Sequence, residues 1–190
     1  MELVLDLNKR YSYADYLTWF DDKRRELIDG LVHMLAAPKD KHAKISENIG
    51  WNLGNHIRSS GCGCEIRYAP YDVRFPGDDK SDDKIYTVVQ PDICVICDKT
   101  KIDENGCIGA PDLIIEIVSG STKKYDWNYK FNIYERYGVR EYWIVEPKAK
   151  IINVFVLQQN NTYDSGTEYE YGQNIPVHIF NGFEIDTKEL

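Results

Sequence analysis

The chain has 190 residues, 43% of them hydrophobic and 28% charged, proportions that fit a single globular domain and exclude a disordered, collagen-like or fibrous chain. Its longest apolar run, Ile93 to Cys97, is five residues, far below the ~20 needed to cross a bilayer. The net charge of −8, from 23 basic and 31 acidic residues, gives no bulk electrostatic ground for inferring a nucleic-acid partner and does not exclude one, because a nuclease needs only a local basic rim around an acidic metal site.

The first twenty residues carry acids and aromatics where a signal peptide has a basic and then an apolar region, so a cytoplasmic location is expected. Ser12 followed by Asp15 reads as a helix N-cap, and Tyr16, Leu17, Trp19 and Phe20 predict a short helix ending near Asp22. Two strands are predicted from Arg25 to Leu35 around Asp29-Gly30, a pair that tolerates the positive φ angles of a tight hairpin. From Asp40 to Ile57 the residues Ile45, Ile49, Leu53 and Ile57 recur every four positions and predict a helix, with Lys41, Lys44 and Asn48 on its other side.

Cys64 to Phe75 alternates like a strand interrupted by Pro70, and the acidic stretch Pro76 to Lys84 reads as a loop. Tyr86 to Cys97 and Pro111 to Val118 are β-branched and apolar on both faces, as in the middle of a sheet, with a turn at Asn105-Gly106 between them. Lys123 to Tyr137 predicts a helix closed by Gly138, and Glu141 to Glu146 a buried strand stopped by Pro147. Strands near Lys150 to Gln158 and Tyr163 to Tyr171 would finish the chain as an antiparallel edge. The five cysteines, odd in number, read as reduced thiols. Cys94 and Cys97 are three residues apart and so face opposite sides of a strand, which disfavours a zinc or redox pair. Trp127, Tyr129, Tyr142 and Trp143 read as core aromatics rather than base-stacking groups.

Charge inside apolar strands is costly and needs a reason. Asp92 sits in VVQPDICVIC and Glu116 in PDLIIEIVS, with Asp112 opening the second strand. Two carboxylates converging from neighbouring strands would suit Mg²⁺, which binds one or two carboxylates and keeps waters for a phosphate; strand-end acids paired with Lys or Arg are the alternative. Asp126 and Lys130 are spaced i, i+4, with Tyr134 and Tyr137 continuing the same face. Lys130 either reaches the strand acids or forms an ordinary surface ion pair.

The segments ELIDGLVHMLAAPKDKHAKI, QPDICVIC, GAPDLIIEIVSGST and YDWNYKFNIYERYGVREYWIVEP resemble, in order, the motifs of the Uma2 family, formerly a domain of unknown function, whose members resemble restriction endonucleases of the PD-(D/E)XK type. The resemblance runs from about Tyr13 to Phe155. It implies an α/β (α+β) fold with a restriction endonuclease-like mixed central sheet flanked by helices, the C-terminal antiparallel strands being an addition. It also implies a metal-dependent phosphodiesterase centre in which Asp92 and Glu116 are the metal-binding acids. The superfamily lysine two residues after the second acid is replaced here by Val118, and Lys130 occupies the position of a lysine relocated to the following helix. Glu26, in RELIDG, matches a further acid that would complete the metal site or orient a water. His42 matches a motif histidine, for which local hydrogen bonding at a helix N-terminus is the simpler reading. Gly120 stands where the family has a proline, and Ser119 and Thr122 read as helix caps rather than nucleophiles.

The activity so implied is hydrolysis of DNA phosphodiesters with Mg²⁺, or Mn²⁺ in its place, without a covalent enzyme intermediate and by a homodimer, because cutting both strands of a duplex suits two-fold symmetry. An inactive DNA-binding or protein-interaction module on the same fold is the competing reading, and a redox or zinc protein using Cys94 and Cys97 a third. Whether Lys130 reaches Asp92 and Glu116 separates the first two.

Overall fold

A computed structural model describes residues 4–119 and 126–190. The first element, α1 (Tyr13–Tyr16), opens with the reciprocal capping read from the sequence: Asp15 N donates to the Ser12 side chain and Ser12 N to the Asp15 carboxylate. The helix ends at Tyr16 rather than near Asp22, because Trp19 turns back onto Tyr11 and Tyr16, and aromatic packing outweighs one more exposed helical turn.

The expected hairpin forms between β1 (Arg25–Ile28) and β2 (Leu31–Met34). Asp29 at φ 48 and Gly30 at φ 84 supply the two positive angles of its turn. Next, α2 (Asp40–Ser60) buries Ile45, Ile49 and Leu53 and leaves Lys41 and Lys44 exposed.

Pro70 divides the following segment into β3 (Glu65–Tyr68) and β4 (Val73–Phe75), which enter different sheets. The run from Tyr86, read above as one strand, is likewise two: β5 (Thr87–Val89) and β6 (Ile93–Ile96), separated at Gln90-Pro91. Proline lacks the N–H that a ladder needs, so both prolines stand where the chain crosses between sheets. Then come the hairpin of β7 (Ile102–Asp103) and β8 (Gly106–Ile108) around Asn105, and β9 (Leu113–Ile117). A π-helical turn over Asp126–Lys130 leads into α3 (Phe131–Tyr137), capped by Gly138 as expected. Lys123 to Tyr125 of the predicted helix, Gly120 and Thr122 fall outside the described residues.

The strand β10 (Glu141–Glu146) is buried as expected, and β11 (Ile151–Val156) and β12 (Thr167–Glu170) add to it the antiparallel edge foreseen. A final hairpin, β13 (Asn174–Pro176) with β14 (Glu184–Asp186), was not, since three-residue strands carry too little alternation to read.

One sheet has the order β2-β1-β5-β4-β8-β7 and the other β12-β11-β10-β9-β6-β3. In the second, β9 and β10 run parallel and the crossover between them contains α3, while β6 is antiparallel to both β3 and β9. Period-two alternation sorts its side chains. Ile93, Val95, Leu113, Ile115 and Trp143 pack with the apolar stripe of α2; Cys94, Ile114, Tyr142 and Ile144 pack with Ile133 and Tyr134 of α3 and with Val73 and Val89 of the other sheet. The four aromatics expected in the core divide: Tyr142 and Trp143 are buried, Trp127 is half-buried, and Tyr129 is exposed.

The β3–β6 register, which pairs Glu65 with Ile96, sets Cys64 opposite Cys97, and the two form a disulfide. This corrects the expectation that all five thiols are reduced. No helix among the described residues is long and apolar enough to cross a membrane.

Candidate active site

Asp92 immediately precedes β6, and the register that pairs Ile93 with Ile115 brings it opposite Glu116 of β9. Its Oδ2 accepts from Ile117 N at 2.7 Å and lies 3.0 Å from His42 Nε2, while its carbonyl accepts from Ala69 N at 3.2 Å. The carboxylate is thereby held by β9, by α2 and, through its own backbone, by the extension of β3. His42 is therefore tied to Asp92.

Glu116 lies between Ile114 and Val118, both packed in the apolar cluster under α3. The same alternation aims Glu116 at that helix. Its Oε1 accepts from Lys130 Nζ at 2.8 Å and from Tyr134 OH at 2.6 Å. Lys130 is 3% exposed and its ammonium also lies 2.9 Å from Oε1 of Glu26 on β1, an oxygen that accepts from Gln90 N at 2.7 Å. Lys130 thus forms a buried bridge between the two sheets. The side chain of Asp126, its proposed i, i+4 partner, is outside the described residues.

Two buried carboxylates against one ammonium form an arrangement that survives desolvation only when every charge is closely bonded. Burial and the neighbouring Glu116 charge push the Tyr134 phenol well above its ordinary value, so it remains a donor to Glu116. His33 faces Glu26 across β1–β2. Burial lowers its pKa from the ordinary imidazole value, with Glu26 pulling it up and Lys130 pushing it further down.

The structure thus joins Glu26, Lys130 and Glu116 directly and sets Asp92 beside Glu116 through strand pairing. Asp112 belongs elsewhere: it accepts from Cys97 N and from Arg140 Nη1, the strand-end pairing that was its simpler reading. Sequence reasoning gave no role to Gln90, whose side chain donates to Tyr16 OH and Asp72 Oδ1 and accepts from Arg24 Nε. Its signal in the sequence is a polar residue inside an apolar run beside the Pro-Asp pair. Tyr134 was placed on the correct face without its bond to Glu116.

Among the described residues no group of three or more His, Cys, Asp or Glu side chains converges as a metal cage. A cysteine site is excluded by geometry, since Cys94 packs on the α3 side of the sheet and Cys97 is bonded to Cys64 on the α2 side. A cleft of about 400 Å³ opens beside Asp92, with His42, Arg24, Trp51 and Tyr68 also among its walls.

Protein slr1290 of Synechocystis sp., described as uncharacterized, is 26% identical over 149 residues, covering 77% of this chain and 74% of its own. The crystal structure of a "putative nuclease belonging to DUF820" from Anabaena variabilis matches with a TM-score of 0.72 at 19% identity, over 94% of this chain and 96% of that one. The shared architecture is the mixed α+β, restriction endonuclease-like fold expected from the sequence. The model of the Uma2 family, described as "putative restriction endonuclease", matches residues 13–188. With that match spanning both sheets and all the acids described above, the chain belongs to the Uma2 family.

Proposed function

We propose that this protein is a metal-dependent endonuclease that hydrolyses DNA phosphodiesters. Asp92 and Glu116 would hold Mg²⁺, or Mn²⁺ in its place, and Lys130 would act on the scissile phosphate. The observation that carries the reading is the contact between Lys130 Nζ and Glu116 Oε1 at 2.8 Å. Val118, at the usual lysine position, is buried in an apolar cluster, and a lysine from the next helix nevertheless lies against the second acid.

The donor set fits the cation. Two hard carboxylate oxygens on paired strands, without a closed cage, suit an ion that takes one or two carboxylates and fills its remaining positions with water and phosphate. When bound, such a cation would supply a water of lowered pKa and neutralise charge developing on the phosphate oxygens. Lys130 adds positive charge at the same place. Tyr134 fixes the orientation of Glu116, and Ile117 N and His42 fix that of Asp92. Glu26, fully buried and bonded to Lys130 and Gln90 N, acts through the lysine by holding its ammonium in place.

The test is nicking of supercoiled plasmid and of short DNA oligonucleotides in Mg²⁺, Mn²⁺ or EDTA, by wild type, Asp92→Ala and Lys130→Met, with circular dichroism to verify folding. Metal-dependent cleavage lost in both folded variants is the expected result. Absence of cleavage by wild type in either metal on all these substrates would overturn the reading and leave the non-catalytic module on the same fold.

A further inference from the structure

One stripe of α2 has no place in the chemistry described so far. Helical periodicity puts Ala43, Glu47 and Trp51 on a common line, and all three face the 400 Å³ cleft that Asp92 and His42 also border. Trp51 is 66% exposed and Tyr68, which also lines the cleft, is 42% exposed, whereas large aromatics ordinarily gain most from burial. Tyr68 is seated by a specific device: its ring lies against Gly50, where a Cβ would come within 2.4 Å of Cε1. A glycine beside Trp51 thus lets a second aromatic lie close against the helix at the cleft.

Charge in the cleft is divided in a way that fits nucleotides. Arg24 lines it, held by its Nε bond to Gln90 Oε1 at 3.1 Å. Lys44 joins Trp51, Glu47 and Asn48 around an adjoining depression of about 220 Å³. Both cations can meet phosphates. Glu47 stands on the same stripe as Trp51, where it repels phosphate but accepts from the amino groups of bases. Trp51 lies about 13 Å along the helix axis from His42, the residue that touches Asp92.

We infer that this cleft is a stacking subsite for unpaired bases, and that the strand entering the active site is single-stranded DNA. A base inside a duplex is stacked on both faces and offers none to a side chain until it is extruded, whereas an unpaired base can lie on Trp51 and Tyr68 in any sequence. The inference deepens the nuclease reading, on which it rests for Asp92 as the point of cleavage.

The test measures binding apart from cleavage. Fluorescence anisotropy in EDTA compares a labelled single-stranded DNA oligonucleotide with its duplex, on wild type, Trp51→Ala, Trp51→Phe and Tyr68→Ala, with thermal melts showing that each variant is folded. The single strand is expected to bind at least about tenfold more tightly than the duplex. Trp51→Ala and Tyr68→Ala should each weaken it by about five-fold to a hundred-fold, the range of one stacked base, and Trp51→Phe should restore most of the loss. Equal affinity for both forms, or an unchanged affinity in Trp51→Ala, would overturn the subsite even if metal-dependent nicking is observed. Binding of the single strand that depends on Trp51, in a protein that cuts nothing, would sustain the subsite and remove only the nuclease reading.

Discussion

Lys130 and Glu116 meet at 2.8 Å across the gap between helix and strand, and the same ammonium lies 2.9 Å from Glu26, so one buried cation ties β9 of one sheet to β1 of the other. Removing it leaves two buried carboxylates without the cation between them. Lys130→Met should therefore destabilise the protein by about 3–5 kcal/mol, the usual cost of stranding a buried charge. Pairing it with Glu26→Gln should recover part of that loss. Urea unfolding of the single and double variants checks this, and a loss below about 1 kcal/mol in Lys130→Met would mean that the bridge carries no structural weight.

This bridge also marks the limit of what the sequence reveals. Residues whose position follows from local periodicity were legible: the buried stripe of α2, the Asp29-Gly30 hairpin, and Glu116 as a charge within an apolar strand. The division into two sheets was not, because strand segments on either side of Pro70 and of Gln90-Pro91 have the same composition whichever sheet they join. Partnerships across the chain were likewise invisible. Spacing offers Lys130 a partner one turn away, whereas the structure gives it acids from two different sheets, and it gives His42 the side chain of Asp92. The Uma2 resemblance pointed to these residues, and only the fold says which atoms meet.

The Cys64–Cys97 disulfide predicts a definite thiol count. Cys62 is exposed, whereas Cys94 and Cys107 are buried, and burial pushes both of their thiols up, that of Cys107 to about 12. Without reductant, a colorimetric thiol reagent should therefore titrate one thiol in the native protein and three after unfolding. Reduction should lower stability by about 3–4 kcal/mol, as expected for a crosslink across 33 residues. Five thiols in the unfolded, unreduced protein would show that the bond does not form.

Asp21 and Arg25 make a two-pronged pair, with both contacts at 2.5 Å. The bonds from the Arg25 guanidinium lead in holding the Asp21 carboxyl down, from 3.8 to about 2. A carboxyl whose folded pKa is depressed contributes stability that is present above its unfolded value and is lost as pH falls through the folded one. Asp21→Asn should accordingly lower the melting temperature at pH 6, and the gap to wild type should close below about pH 2. A gap of the same size at both pH values would assign the effect to packing rather than to charge.

Gly106 connects a turn to the candidate site. It adopts φ +127, and a Cβ there would come within 2.2 Å of Asp72 O, the oxygen that accepts from Cys107 N at 2.9 Å. That carbonyl cannot withdraw freely. The side chain of Asp72 is bonded to Gln90 and Tyr13, and Gln90 N in turn holds Glu26. Gly106→Ala should thus cost about 2–4 kcal/mol, from backbone strain together with the collision. Gly61, at φ +63 with nothing within 4 Å of its added Cβ, isolates the first effect, and Gly61→Ala should cost about 1 kcal/mol. Denaturation of the two variants side by side measures the difference. Equal losses would mean that Asp72 yields, and that the turn can shift without disturbing the residues that hold Glu26.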